Sequence, residues 1–303
     1  MAPMSKTQNL SKKQNGVAFL FLSPWIVGFL VLTLGPMLGS LYLSFTDYDL
    51  FNAPTWAGLE NYARLGADPR YLASLKVTLY YVLFSVPLKL GFALFIALIL
   101  NRGLRGLGFY RSVFYLPSLL GGSVAVALMW RQIFSYDGII NQFLWSWFGY
   151  DAPSWITNPD YALGTLVLLA AWQFGAPMVI FLAGLKQIPQ DMYDAAAIDG
   201  ARPVQQFFYV TVPLLTPIIF FNFVMQTIGA FQAFTPSYII SDGTGGPADS
   251  TLFYTLYLYE QAFTDFEMGY ASAIAWVLVA IIGLATTVSF LSAKYWVHYG
   301  DEG

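Results

Sequence analysis

Few residues in this sequence could carry out catalytic or metal chemistry. Its 303 residues include no cysteine and a single histidine, His298, near the C-terminal end. A serine triad or a histidine metal site needs an imidazole held in the core, so we interpret His298 as a surface residue. No Gly-Lys dipeptide occurs, so the usual phosphate loop for ATP is missing. We therefore predict a chain that is not an enzyme, with no metal and no cofactor of its own.

One segment is instead suited to a mechanical contact. Residues 186–213 have the pattern helix, turn, helix. Pro189 precedes a short helix-forming stretch with Asp191 in its first turn, where the helix dipole favours a negative charge. Gly200 can take the left-handed conformation that ends a helix, and Pro203 suits the first position of the next one. Three consecutive alanines in the short helix leave room for another protein to approach closely.

The elements that position this segment are too apolar for water. Hydrophobic residues make up 57% of the sequence and charged residues only 10%, against about 25% charged in soluble domains, so lipid is the expected solvent. A membrane-spanning helix takes about 20 apolar residues. Six stretches nearly free of charge are long enough: 15–46, 77–100, 112–130, 161–185, 203–241 and 268–293. The fifth is too long for one span, and we expect its first part to lie outside the membrane core.

The charged residues predict the orientation of these spans. With the N-terminus inside, more Lys and Arg residues fall on the cytoplasmic side than outside, as the positive-inside rule requires. A cleaved signal peptide is the alternative for the first stretch, although its apolar run exceeds the 7–15 residues of a signal-peptide core. Lys89 is the one charge well inside a span, and we interpret it as snorkelling or as pairing between helices.

The segment 186–213 resembles the loop of bacterial ABC importer membrane subunits, written E-A-A, three residues, Gly, nine residues, I-x-L-P. Here Asp194-Ala195-Ala196 is followed at the same spacings by Gly200 and by Val210-Thr211-Val212-Pro213. Aspartate replaces glutamate, and valine replaces isoleucine and leucine. In that family the loop is the coupling helix that docks on an ATPase subunit. The resemblance therefore implies these ATPase-coupling residues: Asp194, Ala195, Ala196, Gly200 and Arg202.

The likeness extends along nearly the whole chain and is greatest to carbohydrate permeases of the maltose and multiple-sugar type. Ser23-Pro24-Trp25, Leu59-Glu60-Asn61-Tyr62 and Gly269-Tyr270-Ala271-Ser272-Ala273 fit that subfamily. The resemblance implies an all-α, multi-pass protein of the bacterial inner (plasma) membrane, with six transmembrane helices in the type I importer permease fold, N-in and C-in. It implies one transmembrane domain over residues 1–303. Its implied partners are membrane lipid, a second permease, two ATPase subunits that bind ATP and magnesium, an extracytoplasmic solute-binding protein and a sugar, but no nucleic acid.

A sugar site needs aromatic faces and amide or hydroxyl groups, near mid-membrane between helices. The candidates in the fourth and fifth spans are Trp172, Gln173, Asn222, Gln226, Phe231 and Gln232. Asn222 and Gln226 are four residues apart and share a helix face. The alternative is that these amides only tie helices together.

Other transport functions stay open from the sequence alone. An importer of the same type for glycerol-3-phosphate or a polyol is one alternative, although the near absence of cations in the spans favours a neutral sugar. A secondary transporter is the other, but proton-coupled carriers place ionisable residues in the membrane, and no Asp or Glu lies within a predicted span.

Overall fold

The computed structural model describes residues 20–103 and 106–298, so the first five residues of the stretch 15–46 lie outside the described part. The described residues are mostly helical, with very little strand. The helices in chain order are α1 (Leu20–Leu43), α2 (Glu60–Leu65), α3 (Pro69–Leu100), α4 (Leu107–Leu120), α5 (Val124–Ile133), α6 (Ile139–Phe148), α7 (Pro159–Trp172), α8 (Gly175–Leu185), α9 (Gln190–Ile198), α10 (Pro203–Phe231), α11 (Thr235–Ile240), α12 (Tyr254–Tyr259) and α13 (Met268–Trp296). A two-residue antiparallel ladder joins β1 (Thr46–Asp47) to β2 (Thr55–Trp56).

Four helices, α1, α3, α10 and α13, are each long and apolar enough to cross a membrane. Two further candidates are bent pairs: α4 and α5 meet at 97°, and α7 and α8 at 41°. Counting each pair as one span gives six, in agreement with the prediction. The stretch 203–241 divides near its far end, because α10 stops at Phe231 and α11 is a separate short helix.

Contacts group the described residues into two compact units, one of residues 20–64 and 261–276 and the other of residues 65–103, 106–260 and 277–298. In the first unit, the motif that begins α2 closes the end of α1. Asn61 Nδ2 donates to the carbonyl oxygens of Ser44 at 3.0 Å and Thr46 at 2.9 Å, and Tyr62 Oη lies 2.7 Å from Ser44 Oγ. The last carbonyls of a helix have no partner within it, so these side chains fix where the chain leaves α1.

The second unit is built around α3, which packs against α7, α8, α10 and α12. Ala93 and Ala97 of α3 are fully buried, and small residues let helix backbones approach closely. The core around them comprises Val86, Leu90, Ala93, Ala97, Leu100, Phe174, Met178, Phe181, Leu182, Leu185 and Leu215. The second unit also contains the breaks between α4 and α5 and between α7 and α8. A single domain over the whole chain remains a prediction.

The end of α13 within the second unit is fixed against α10. Phe220 makes edge-to-face contacts with Phe290 and Trp296, with ring centroids 5.0 and 5.9 Å apart. The backbone N–H of His298 donates to Thr216 Oγ1 at 2.9 Å. His298 itself is exposed, as predicted.

The loop between α11 and α12 is anchored by two arginines of the second unit. Arg131 in α5 pairs with both carboxylate oxygens of Asp242. Arg70 at the start of α3 reaches Asp249 at 3.2 Å and Glu260 at 3.0 Å. These ion pairs place the loop across the ends of α3 and α5.

Candidate functional site

The predicted coupling segment contains a short helix with a defined beginning and end. Pro189, with φ −62° and ψ 137°, precedes α9. At the other end Gly200 has φ +77°. Its N–H donates to Ala197 O at 3.0 Å, and the N–H of Ala201 donates to Ala196 O at 2.9 Å. This pair of bonds is the Schellman motif, which needs a left-handed residue that glycine supplies at least cost.

The coupling segment is also bonded to the foot of α10. The Arg202 N–H donates to Gln205 Oε1 at 2.8 Å, which stabilises the first turn that begins at Pro203. Tyr193 in α9 lies with its Oη 2.9 Å from Thr211 Oγ1, and Thr211 is buried. Thr211 ends a π-helical turn, Phe207–Thr211, within α10. The structure therefore connects α9 to α10 by this hydrogen bond and by the short turn at Gly200.

The predicted contact residues lie together on the surface of this segment. Asp194, Ala195, Gly200 and Arg202 are exposed, and Ala196 is partly buried. Ile198 of the same helix is 87% exposed. The surface of this segment is therefore available for contact with another protein.

A cavity of about 300 Å³ lies among α3, α10, α11 and the two helix breaks of the second unit. Two of the six predicted sugar-binding residues, Gln173 and Gln226, are in its wall. The complete lining comprises Tyr81, Ser85, Val86, Lys89, Gly121, Gly122, Ala170, Gln173, Gln226, Gly229, Ala230, Ala233, Phe234, Thr235 and Pro236. Its chemistry is a mixture of amides, hydroxyls, two aromatic rings and one lysine.

Gln173 joins the two helix breaks to each other. Its Nε2 donates to the carbonyl oxygen of Gly121, between α4 and α5, at 2.9 Å. Ser118 Oγ in turn donates to the carbonyl oxygen of Gln173 at 2.8 Å and accepts from the Ala176 N–H at 3.0 Å. A carbonyl freed by a helix break in lipid needs a partner. Gln173 therefore ties helices together, as the alternative interpretation holds, and also faces the cavity.

The other four candidates lie outside the cavity wall. Trp172 is exposed, with its ring 5.9 Å from that of Trp130. Asn222 is fully buried and donates to Ile218 O at 3.1 Å, while its Oδ1 has no hydrogen-bond partner among the described residues. Phe231 is buried, and Gln232 is exposed. Asn222 thus does not share the cavity with Gln226, although one helical turn separates them.

Three cavity residues on α3 were not singled out as ligands from the sequence. Tyr81, Ser85 and Lys89 are each four residues apart and form a polar stripe in the cavity wall. The sequence feature that could have identified them is the four-residue spacing of polar side chains within an otherwise apolar span. Lys89 was interpreted as snorkelling or pairing between helices, but the ion pairs of the described residues do not include it.

The chain has helices long enough to cross a membrane, a short exposed helix between two of them and a polar cavity among them. These are the features of a multi-pass membrane permease. Residues 69–298 match the family model described as the binding-protein-dependent transport system inner membrane component. The chain belongs to this family, and it is a permease subunit of an ABC importer located in the inner membrane. The prediction of its class and location is confirmed.

Individual relatives agree with this assignment. The chain is 57% identical over 301 residues to the probable ABC transporter permease protein YesP of Bacillus subtilis, covering 99% of this chain and 97% of that protein. It is 32% identical to the lactose transport system permease protein LacF of Rhizobium radiobacter, covering 97% and 99%.

A solved structure shares the fold. The chain resembles a chain of the crystal structure of a bacterial alginate ABC transporter in complex with its alginate-bound periplasmic protein, with a TM-score of 0.80 and 19% identity over 95% of this chain and 98% of that one. This likeness confirms the predicted all-α, type I importer permease fold.

Proposed function

We propose that this chain is one of two permease subunits of a sugar importer and takes no part in ATP hydrolysis itself. The observation that carries the proposal is the course of α10. One end of this helix is bonded to the exposed α9 through Thr211, and Gln226 farther along faces the cavity. The two residues lie about 22 Å apart at 1.5 Å per residue. Movement of α9 therefore reaches the substrate cavity through one continuous helix.

The mechanism is alternating access. Two separate ATPase subunits bind ATP and magnesium, and their closure draws the coupling helices of the two permeases together. Each α9 moves its own α10 through the Tyr193–Thr211 bond and the turn at Gly200. The cavity then opens to the docked solute-binding protein, and hydrolysis returns it to the inward-facing state. Asp194, Ala195, Ala196, Gly200 and Arg202 form the surface that the ATPase grips.

The cavity supports a sugar as the substrate. Gln173 and Gln226 offer amide donors and acceptors, and Tyr81 and Phe234 offer aromatic faces. These are the groups that orient sugar hydroxyls and cover sugar rings in a mostly apolar pocket. The lactose system of one relative is in keeping with this substrate class. Four candidates lie outside the cavity wall of this structure and remain candidates only for another conformation of the transport cycle: Trp172, Asn222, Phe231 and Gln232.

The absence of cysteine allows a direct test of the coupling contact. We expect Ala195→Cys in the intact importer to cross-link to an ATPase subunit with a short cysteine-to-lysine reagent. Ala195 lies on the exposed face of α9, which is the surface proposed to contact the ATPase. The product is detected by mass spectrometry of the cross-linked band.

The control is Asp151→Cys, an exposed position in the loop after α6, which we expect to give no ATPase adduct. Both cysteines should react with a maleimide dye, which shows that they are accessible. An ATPase adduct from position 151 alone, or no adduct from position 195 despite dye labelling, contradicts the proposed coupling surface.

Gln226→Leu tests the sugar site. We expect uptake to fall about two- to tenfold, because leucine removes hydrogen bonds each worth about 0.5–1.5 kcal/mol and tenfold corresponds to about 1.4 kcal/mol. Initial uptake of labelled sugars into proteoliposomes measures the effect. Gln132→Leu, an exposed glutamine of α5 outside the cavity, should leave uptake unchanged. Unchanged uptake of every candidate sugar in Gln226→Leu removes this residue from the site.

A further inference from the structure

The described residues that line the cavity include one charged side chain, Lys89. It lies about 16 Å from the end of α3 at Leu100, taking 1.5 Å per residue, within a hydrocarbon core about 30 Å thick. Lys89 is partly buried. Ser85 and Tyr81 precede it on the same face. The ammonium group thus belongs to a polar stripe in the cavity wall.

The described part of the chain gives this ammonium group no counter-ion. No carboxylate there lies within 4.0 Å of Lys89, and the ion pairs present are those of Arg64, Arg70 and Arg131. No Asp or Glu lines the cavity. A charge held away from water is costly unless it is paired, and an ionisable residue at membrane depth indicates a functional site. An anion that enters the cavity would supply the missing partner.

We propose that the cavity recognises an oligosaccharide that carries carboxylate groups, and that Lys89 pairs with one of them. This inference rests on the proposed function in sugar import and narrows its substrate class to acidic sugars. Ser85, Gln173 and Gln226 would bind the hydroxyl groups beside the carboxylate. The near absence of cations in the spans favours a neutral sugar, whereas the one cation that the described residues place in the cavity wall favours an acidic one.

The single lysine favours a carboxylate over a phosphate. A carboxylate carries one negative charge, which one ammonium group balances. A phosphate monoester carries about −1.5 to −2 charges and several acceptor oxygens, and phosphate sites therefore combine several cations or backbone N–H groups. The described cavity wall offers one cation.

The test uses the complete importer with its own binding protein in proteoliposomes. The probes are uronic-acid oligosaccharides, each as the free acid and as its methyl ester, together with neutral oligosaccharides and glycerol-3-phosphate. Initial uptake of each compound is expressed as a ratio to wild type, which cancels the preference of the unchanged binding protein. In Lys89→Met, we expect uptake of the free acids to fall at least tenfold and uptake of any ester or neutral sugar that wild type transports to change less than twofold.

Two variants separate charge from structure. Lys89→Arg keeps the charge and should retain at least a third of wild-type uptake of the free acids. Lys76→Met removes another lysine from α3, outside the cavity wall, and should match wild type. Co-purification of the ATPase subunits with each variant monitors assembly and should match wild type, and the basal ATPase activity of the Lys76→Met complex should be unchanged.

Several results would overturn the assignment. Wild-type import of only neutral sugars would do so, as would preferential import of glycerol-3-phosphate over the acids. Equal losses for acidic and neutral sugars in Lys89→Met, or a loss of the ATPase subunits from its purified complex, would show that Lys89 pairs with protein instead. A different result would contradict the proposed function in sugar import: wild type would import no sugar of any charge in the presence of ATP.

Discussion

Replacing Gly200 with valine is expected to reduce uptake and binding-protein-stimulated ATPase activity about tenfold or more, while the protein still inserts into the membrane. Gly200 has φ +77°, and a Cβ added there meets no heavy atom within 4 Å. The cost of the substitution therefore comes from the backbone conformation and not from steric overlap. A left-handed backbone costs an ordinary residue about 1–2 kcal/mol, and the upper end, which suits a β-branched residue, corresponds to roughly a 30-fold loss of the native turn.

Two controls isolate the role of this turn. Gly200→Asn should retain most activity, because asparagine tolerates the left-handed conformation. Gly149→Val makes the same change at the end of α6, where Gly149 has φ +63° and equally open surroundings, but outside the coupling segment. We expect it to leave uptake near wild type. Normal transport and normal subunit assembly in Gly200→Val would show that the Schellman turn does not transmit the movement of α9.

The coupling segment was predictable because its information is local. Pro189, Asp191, Gly200 and Pro203 each favour a position in a helix or turn that depends on their immediate neighbours. The structure places a helix and a left-handed glycine where the sequence predicts them. The bond from Tyr193 to Thr211 joins residues 18 positions apart, and neither residue type alone indicates it.

The spans were predictable in number but not in shape. Apolar length is again a local property, and it located stretches that overlap all six candidate spans. The bends between α4 and α5 and between α7 and α8 depend on a contact between distant residues. Gln173 and Gly121 are 52 positions apart, and the bond between them exists only once both breaks have packed together.

The sequence predicted the chemistry of the cavity but only some of the residues that line it. Gln173 and Gln226 were chosen as amides in apolar spans, and both line the cavity. Asn222 has the same chemistry but is buried elsewhere, because the face that a helix turns to a cavity depends on its neighbours. Lys89 lines the same cavity, a position that the apolar stretch around it does not indicate.

Gly175→Ala is expected to destabilise the protein, even though alanine is ordinarily the better helix residue. A Cβ at this position of α8 would overlap the backbone of Phe114 and Tyr115 in α4. Backbone atoms cannot rotate away, so the helices must separate, at a cost of about 1–3 kcal/mol for an overpacked site. The separation would also strain the bonds that Ser118 makes to Gln173 and Ala176, so uptake should fall together with the melting temperature.

The matched control carries the same substitution with the opposite expected sign. A Cβ at Gly164 of α7 meets no heavy atom within 4 Å, so Gly164→Ala should stabilise the helix by about 0.5–1 kcal/mol. The melting temperatures of the two purified variants in detergent should therefore lie on either side of wild type. If both rise, α4 and α8 do not approach as closely as described, and the joint between the two bent spans is looser than the bond from Gln173 to Gly121 requires.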